Sequence, residues 1–351
     1  MIPIHAYEGR RVAVFGLGRT GIATAKALEA GGATVSCWDD SEPSRLRAEA
    51  DGLTLDDLNR RDWGDIAALI LSPGIPLTHP KPHHVVELAR AVDAPVIGDV
   101  ELFAMAIADL PEKRRPKIIG ITGTNGKSTT TALIGHILRE TGRNVVVGGN
   151  IGDAILAQAA PRPGSYYVLE LSSYQLDLTH SLACDVALLL NISPDHIDRH
   201  GDFDGYFRAK QRLFDMQRPG DVAVIGIDDN VTSAYFSTLR RNRREEEIIP
   251  ISAGRARQAR VNSMPSMIGM LRSVMTRSGL NWSKRVSPSS PFSASATSCP
   301  ALRSVMLSRL SSVLVSSIAR IFIAGSLHNE GAFRRVEPDR LKGLADRESG
   351  V

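Results

Sequence analysis

Short apolar runs alternate with helical patterns along residues 1–252 of the chain. The runs are rich in β-branched residues and end at glycine or polar residues. They predict strands at residues 12–15, 33–38, 67–71, 96–97, 117–122, 144–147, 166–171, 186–190 and 222–227. Apolar residues at helical spacing predict helices at residues 22–30, 85–92 and 128–140. Strand–helix alternation of this kind predicts an α/β fold in which parallel sheets are covered on both faces.

A polar segment at residues 111–116 divides this alternation into two units. The segment begins and ends with proline, and a new strand–loop–helix unit starts directly after it. We therefore expect one domain at residues 1–115 and a second α/β domain at residues 116–252. After residue 252 the alternation ends, and residues 253–351 form an anomalous basic segment rich in Ser and Arg. We expect that segment to be disordered or translated out of frame.

The composition is that of a globular protein and excludes several other classes. The chain has 351 residues, 43% of them hydrophobic, and no apolar run approaches the roughly 18 residues that a membrane span needs. The N-terminus lacks the basic and apolar regions of a secretory signal. The three cysteines are far apart and give neither a disulfide framework nor zinc-ligand spacing. We therefore expect a reduced, cytoplasmic protein with no membrane partner. We also expect a monomer, although this composition does not determine the oligomeric state.

The positive charge of the chain is confined to one region. The net charge is +4, which invites a nucleic-acid hypothesis. However, the stretch between Ile248 and Asn329 contains ten Lys and Arg residues and no Asp or Glu. The remainder of the chain is therefore net negative, and we expect no nucleic-acid partner. The alternative is a basic tail that contacts RNA or acidic lipid, but this region has few aromatic residues for base stacking.

The first motif with chemical content is Gly16-Leu17-Gly18-Arg19-Thr20-Gly21, between a predicted strand and a predicted helix. Glycines allow the tight turn and let the helix N-terminus approach a diphosphate. Asp39 ends the next strand, where an acid could accept a hydrogen bond from a ribose hydroxyl. The pattern indicates a nucleotide site, with NAD as the obvious ligand, but it does not specify the nucleotide.

A second glycine-rich loop covers residues 122–129, Thr-Gly-Thr-Asn-Gly-Lys-Ser-Thr, and again follows a strand. Backbone N–H groups of such a loop cradle phosphates, Lys127 offsets their charge, and the Ser128 hydroxyl can bind Mg²⁺. The first glycine of the standard pattern would fall at position 121, which is Ile121 here. The loop predicts that the chain binds ATP or GTP.

Polar side chains lie at the ends of two consecutive strands of this second unit, those at residues 166–171 and 186–190. Glu170 closes one apolar run, and His196 lies in a segment that follows the next. An acid at the carboxyl end of a parallel strand beside a phosphate loop is where a Mg²⁺ ligand is expected. Taken singly, Glu170 could be a helix-capping acid and His196 an ordinary loop histidine. Their position after consecutive strands favours a metal site.

Four segments together resemble the Mur ligases, which are ATP-dependent amide-bond ligases of peptidoglycan precursor synthesis. These are Gly-Thr-Asn-Gly-Lys-Ser-Thr at residues 123–129, Gly-Gly-Asn-Ile-Gly at 148–152, the segment at 169–175, and Asp-His-Ile-Asp at 195–198. The segments at residues 16–21, 72–75 and 98–103 make the chain most similar to the family member that joins D-glutamate to UDP-N-acetylmuramoyl-L-alanine. The resemblance runs from about residue 11 to residue 229.

The resemblance implies a Rossmann-like N-terminal domain that holds the UDP part of the substrate, followed by a P-loop α/β ATP-binding domain. It implies an acyl phosphate intermediate, formed by attack of the alanyl carboxylate on ATP and then consumed by D-glutamate. It also implies that the catalytic residues are Lys127, His196 and Lys210, of which Lys210 matches the family's carbamylated lysine. The implied ATP contacts are Gly123, Thr124, Asn125, Gly126, Lys127, Ser128, Thr129 and Thr130. The implied Mg²⁺ ligands are Ser128, Glu170, His196 and Lys210, and the implied UDP-substrate contacts are Gly18, Arg19, Thr20, Asp39, Ser72, Gly74 and Asn150.

The chain departs from the family pattern after residue 252, where the segments expected of the C-terminal ligase domain are not found. We therefore expect that domain to be missing. Two alternatives to a ligase stay open. One is a non-catalytic nucleotide-binding remnant, and the other is an NAD-linked oxidoreductase built on residues 16–21, against which the second glycine-rich loop argues.

Overall fold

The computed structural model describes residues 1–252, which fold into two parallel β-sheets with helices packed against them. In these residues no helix combines the length and the apolar character needed to cross a membrane. The anomalous segment at residues 253–351 and the expected loss of the C-terminal domain lie outside the described residues.

The first sheet has four strands in the order β2-β1-β3-β4, and all neighbouring pairs are parallel. The strands are β1 (Arg11–Phe15), β2 (Thr34–Trp38), β3 (Ile66–Leu71) and β4 (Val96–Ile97). The helices of this part are α1 (Arg19–Ala30), α2 (Glu42–Ala50), α3 (His84–Ala91) and α4 (Asp99–Ala108). Because β1 is central, the loop that follows it lies between the loops that follow β2 and β3.

The second sheet has six parallel strands in the order β10-β9-β8-β5-β7-β6. They are β5 (Lys117–Thr122), β6 (Val145–Gly149), β7 (Tyr166–Glu170), β8 (Val186–Leu189), β9 (Val222–Gly226) and β10 (Ile248–Ile251). The helices are α5 (Lys127–Glu140), α6 (Ser173–Asp177), α7 (Ile197–His200), α8 (Phe203–Asp215) and α9 (Asn230–Asn242). The central position of β5 places its loop between those of β7 and β8.

The predicted α/β fold with parallel sheets is confirmed over the described residues. Every predicted strand is present, and the predicted helices differ from α1, α3 and α5 by at most three residues at an end. The apolar pattern did not indicate α2, α4, α6–α9 or β10. In α4, for example, nearly every residue is buried, so the helix lacks the polar stripe on which a periodicity prediction depends.

The two sheets share one hydrophobic core. A single cluster of buried side chains includes Val14 of β1, Phe103 of α4 and Tyr167 of β7, and the rings of Phe103 and Tyr167 lie 5.1 Å apart. The backbone N–H of Ile2 also donates to the carbonyl oxygen of Leu156 at 2.8 Å. The first sheet and the second are therefore packed against each other through apolar contacts.

Candidate active site

The candidate site lies at the carboxyl ends of β5, β7 and β8, which are neighbours in the second sheet. The loop after β5 is the glycine-rich segment at residues 123–126, and α5 begins directly after it at Lys127. Gly123 and Gly126 have φ values of 147° and 83°, which side-chain-bearing residues rarely adopt. The two glycines therefore allow the sharp turn that points the N-terminus of α5 at the space above the sheet.

The phosphate loop is braced by the segment that follows β8. The Asn191 side chain accepts from the backbone N–H of Asn125 at 2.9 Å and donates to its carbonyl oxygen at 3.1 Å. The side chain of Lys127 folds back over the loop, and its Nζ donates to the carbonyl oxygens of Gly123 and Thr124, both at 2.9 Å. The next two residues of α5, Ser128 and Thr129, are exposed, whereas Thr130 is buried.

Lys210, on α8, lies beneath the same loop. Its side chain is only 1% exposed, and its Nζ donates to the carbonyl oxygen of Gly123 at 3.0 Å and to the Thr122 hydroxyl at 3.3 Å. Burial, reinforced by the nearby charge of Lys127, lowers the pKa of Lys210 to about 7. Near neutral pH a substantial fraction of this amine is therefore uncharged.

Glu170 ends β7 and is 2% exposed. Its Oε1 atom accepts from the Asn150 side-chain amide at 3.0 Å, while Oε2 is buried with no hydrogen-bond partner in the described residues. The backbone N–H of Asn150 also donates to the Glu170 carbonyl oxygen at 2.8 Å. The structure therefore brings these two predicted site residues together, and it leaves one carboxylate oxygen available to a ligand.

His196 is the N-cap residue directly before α7 and has a left-handed backbone, with φ at 52°. Such a conformation is uncommon for a residue with a side chain and is concentrated at functional sites. The imidazole is about half exposed, with Nε2 3.5 Å from a carboxylate oxygen of Asp195. Its ring centroid lies 4.9 Å from that of Tyr174 and 6.2 Å from that of Tyr206. His196 is thus presented to the site on an aromatic support.

In the first sheet, the turn at residues 16–21 connects β1 to α1 as predicted. A Cβ added to Gly21 would lie 1.9 Å from the carbonyl oxygen of Gly16, so the helix can approach the strand only without a side chain there. A Cβ added to Gly18 or Gly74 would meet nothing within 4 Å. Arg19 is exposed, and Thr20 and Ser72 line a cavity of about 10 Å³ together with Asp99.

Asp39 stabilises this turn through the backbone. One of its carboxylate oxygens accepts from the Leu17 N–H at 2.6 Å, and the other accepts from the Ser41 N–H at 2.8 Å. The predicted ligand-binding acid therefore also holds the glycine-rich turn against the end of β2.

Comparison with known proteins identifies what this arrangement belongs to. Residues 121–266 match the Mur ligase middle domain. The UDP-N-acetylmuramoylalanine–D-glutamate ligase of Caulobacter sp. (strain K31) is 57% identical over 256 residues, which are 73% of this chain and 54% of the relative. The chain contains a Mur ligase middle domain. A similar enzyme of the same name from Phenylobacterium zucineum is 53% identical over 268 residues, or 76% of this chain and 57% of the relative.

The chain spans about half the length of these curated Mur ligase relatives. Among solved structures, one that is similar is the UDP-N-acetylmuramate:L-alanyl-gamma-D-glutamyl-meso-diaminopimelate ligase from Neisseria meningitides. The alignment covers 69% of this chain and 77% of the ligase chain, at 16% sequence identity. Its TM-score is 0.46.

The Mur ligase family implies Mg²⁺, and the residues present fit such an ion. Within residues 1–252, no three His, Cys, Asp or Glu side chains are grouped so that they could hold a metal ion. Mg²⁺, however, is usually bound by one or two protein oxygens together with phosphates and water rather than by an all-protein cage. The buried, unpartnered Oε2 of Glu170 and the exposed hydroxyl of Ser128 are oxygen donors of that kind.

Sequence reasoning missed several residues of this site. Tyr206 lies four residues before Lys210 on α8, and its hydroxyl is 3.1 Å from that of Thr124 in the phosphate loop. The Lys210 Nζ lies 4.7 Å from the centre of the Tyr206 ring. The four-residue spacing puts both side chains on one helix face and could have indicated Tyr206. The side chain of Asn191 contacts the backbone of Asn125, and that of Arg199 donates to the carbonyl oxygen of Gly74 at 2.8 Å. Backbone partners leave no comparable signal in the sequence.

Proposed function

We propose that this chain takes part in the ATP-dependent ligation of D-glutamate to UDP-N-acetylmuramoyl-L-alanine, in peptidoglycan precursor synthesis. The support is identity of 53–57% to two enzymes with that name over about three quarters of this chain. One observation carries the proposal. The phosphate loop, Glu170, His196 and Lys210 all lie at the carboxyl end of the second sheet. On this proposal the chain belongs to the acid–amino-acid ligases.

The proposed reaction activates a carboxylate by phosphorylation. The alanyl carboxylate oxygen attacks the γ-phosphorus of ATP, the bond to the bridging oxygen breaks, and ADP leaves. The D-glutamate amine then attacks the acyl carbon, phosphate departs, and the amine loses a proton as the amide forms. A carboxylate is a poor electrophile until one of its oxygens becomes a phosphate leaving group, which is why the reaction requires ATP.

The phosphate loop supplies the ATP contacts in this proposal, at residues 123–130. Lys127 would exchange its two loop carbonyl partners for the transferred phosphoryl group, whose negative charge it offsets. The N-terminus of α5 adds backbone N–H donors at the same place.

We propose that Ser128 would bind one Mg²⁺ ion and that Glu170 and His196 would serve a second, with Lys210 in support. When bound, the ion neutralises charge on the phosphates during transfer. We propose that Lys210 acts as a carbamate, in which the amine has become an anion. The low pKa of this buried amine supports that role, since only the uncharged form reacts with CO₂. His196 would be held toward the ion by the adjacent carboxylate of Asp195.

The UDP-substrate would bind at the carboxyl end of the first sheet. We propose contacts from the turn after β1, from the end of β2, from the loop after β3 and from the glycine-rich segment after β6. The residues are Gly18, Arg19, Thr20, Asp39, Ser72, Gly74 and Asn150. On this proposal residues 1–115 and 116–252 are the UDP-substrate domain and the ATP domain. A monomeric state and a cytoplasmic location stay predictions.

The test is phosphate release by the full chain with MgATP, UDP-N-acetylmuramoyl-L-alanine and D-glutamate, with the product identified by mass spectrometry. We expect release only when both substrates are present. The variant Lys127→Met should lose at least about 100-fold of the rate, as expected for removal of a transition-state charge contact. Lys81→Met, at an exposed lysine far from the loop in sequence, is the matched control and should behave as wild type.

Two other outcomes would contradict the proposal in different ways. ATP and UDP binding without any phosphate release would indicate a non-catalytic nucleotide-binding protein. NADH binding that UDP does not displace would favour an oxidoreductase instead.

A further inference from the structure

Arg199 joins the two proposed ligand sites directly. It lies on α7, three residues after His196, and its Nη1 donates to the carbonyl oxygen of Gly74 at 2.8 Å. Its Nη2 lies 3.5 Å from the carbonyl oxygen of Pro73. Both carbonyls belong to the loop after β3, in the first sheet, whereas α7 follows β8 in the second sheet. One guanidinium therefore connects the loop proposed to contact the UDP-substrate with α7, the short helix that directly follows His196.

The Arg199 guanidinium also contacts Tyr174, whose aromatic ring lies beside that of His196. Its Cζ atom lies 4.8 Å from the centre of the Tyr174 ring, which is itself 4.9 Å from the His196 ring. A guanidinium at this distance is attracted to the face of the aromatic ring. Arg199 therefore contacts both the 72–74 loop and Tyr174, the neighbour of His196.

The backbone of α7 makes this connection short. The N–H groups of Arg199 and His200 both donate to the carbonyl oxygen of His196, at 3.1 and 3.2 Å. A displacement of Arg199 therefore moves the carbonyl end of His196, whose left-handed backbone has little freedom to compensate.

His200 also connects α7 to α6. Its Nε2 lies 2.9 Å from the Ser173 hydroxyl and its Nδ1 lies 3.2 Å from a carboxylate oxygen of Asp177, and the ring is buried. Ser173 and Asp177 are the first and last residues of α6, which follows Glu170 and its strand after two residues. Thus α7 is held between the 72–74 loop and the element that follows the proposed metal ligand.

We propose that Arg199 is a positioning residue that couples the two sites, so that substrate bound at the 72–74 loop sets the orientation of His196 toward the nucleotide. This inference rests on the proposed function, because it takes the two sites as those for the UDP-substrate and for MgATP. Coupling between sites is reciprocal, so nucleotide binding must change the affinity for the UDP-substrate by the same factor as the converse. The coupling factor is therefore the quantity that Arg199 should control.

The experiment measures binding of UDP-N-acetylmuramoyl-L-alanine to the full chain by calorimetry, with and without the magnesium complex of a non-hydrolysable ATP analogue. In the wild type we expect the analogue to change the affinity at least about 5-fold, the lower end of typical coupling. In Arg199→Met, which keeps an apolar stem beside Tyr174 and loses every donor, the change should fall below about 2-fold. Arg199→Lys, which keeps the charge but not the forked geometry, should give an intermediate factor.

The matched control is Arg115→Met. The Arg115 guanidinium also donates to two backbone carbonyls, those of Leu110 at 2.9 Å and Ala108 at 2.7 Å, but it lies in the connection between the sheets. This variant should keep the wild-type coupling factor. If Arg199 had only a structural role, Arg199→Met would lower both ligand affinities or the melting temperature. The factor by which the ATP analogue changes the affinity for the UDP-substrate would then stay at its wild-type value.

The outcomes separate this inference from the proposed function. An unchanged coupling factor in a folded Arg199→Met variant overturns the role of Arg199, and so does a wild type that binds both ligands independently. A wild type that binds neither ligand contradicts the proposed function itself, and the inference with it.

Discussion

The Nζ atom of Lys210 lies 3.0 Å from the carbonyl oxygen of Gly123, so a buried amine is fixed directly beneath the phosphate loop. The amine has exchanged water for one carbonyl and one hydroxyl, and this burial lowers its pKa to about 7. The loop conformation and the chemistry of the lysine are therefore linked through two hydrogen bonds.

We expect Lys210 to react with CO₂. The uncharged Nζ attacks the carbon of CO₂, an N–C bond forms and a proton is lost to solvent, which leaves a carbamate anion. Incubation with ¹³C-bicarbonate at pH 8 should give one carbamate resonance by NMR. The resonance should be absent from Lys210→Met and present in Lys81→Met. Persistence of the resonance in Lys210→Met would contradict the assignment.

Substitution by alanine should destabilise the protein strongly at one glycine of the turn at residues 16–21 and only slightly at another. Gly21→Ala places a Cβ 1.9 Å from a backbone carbonyl oxygen, so we expect it to cost at least about 3 kcal/mol of unfolding free energy. Gly18→Ala meets open space at a φ of −68° and should change stability by less than about 1 kcal/mol. Urea denaturation measures both values.

Gly18→Ala also tests the UDP contact proposed for this turn. If the backbone at Gly18 approaches the ligand closely, the added methyl group should weaken UDP binding at least about 10-fold while the protein stays folded. Undiminished binding by this variant would place the ligand elsewhere.

Glu101 should be a main polar contribution to the packing of the two sheets. Its buried carboxylate accepts from the backbone N–H groups of His180 and Ser181, at 2.6 and 2.9 Å, and from the Ser181 hydroxyl at 2.6 Å. We expect Glu101→Ala to lower the free energy of unfolding by about 3 kcal/mol, because three buried donors lose their acceptor. Glu87→Ala, at an exposed glutamate of α3, should change it by less than about 0.5 kcal/mol. Equal effects of the two substitutions would contradict this assignment.

Asp99 should make stability fall as the pH rises. Its side chain is buried with one unpartnered oxygen, and burial raises its pKa from 3.8 to about 6. Between these values the folded protein binds the proton more tightly than the unfolded chain, so the stabilising proton is lost as the pH passes 6. Asp99→Asn keeps the acceptor without the charge. Its stability advantage over wild type should grow by about 2 kcal/mol between pH 4.5 and 7.

Urea denaturation at a series of pH values checks this expectation. Asp109→Asn, at the opposite end of the same helix and exposed, is the control and should differ from wild type by less than about 0.5 kcal/mol at each pH. A parallel pH dependence in wild type and Asp99→Asn would contradict the raised pKa.

The elements that the sequence predicted best are those with strong local signals. The strand at residues 117–122 has the same bounds in prediction and structure, because its apolar run ends at a glycine-rich loop. The helix predicted at residues 128–140 differs from α5 only in starting one residue after Lys127. The contacts of Lys127 with Gly123 and Thr124 were not predicted, since a side chain folded onto its own loop resembles an outward-pointing one in sequence.

Long-range polar contacts escaped prediction for a different reason. Arg199 and Gly74 are 125 residues apart, and the acceptor is a backbone carbonyl that every residue carries. Asp39 was predicted to contact a ligand at the end of β2, whereas its bonds to the backbone of Leu17 and Ser41 depend on how β1 and β2 pair. Contacts of this kind follow from the fold, and the sequence pattern alone does not specify them.

The core shared by the two sheets has a practical consequence for work on this protein. Cutting the chain at the connection near residue 115 would expose apolar side chains of the shared core on each fragment. Such exposed apolar surface favours aggregation, so a fragment that contains only one of the two sheets is a poor substitute for the intact protein. In the intact protein the halves should melt together. A nucleotide that binds at only one sheet should therefore raise the melting temperature of both sheets. A thermal-shift measurement thus reports binding at either site.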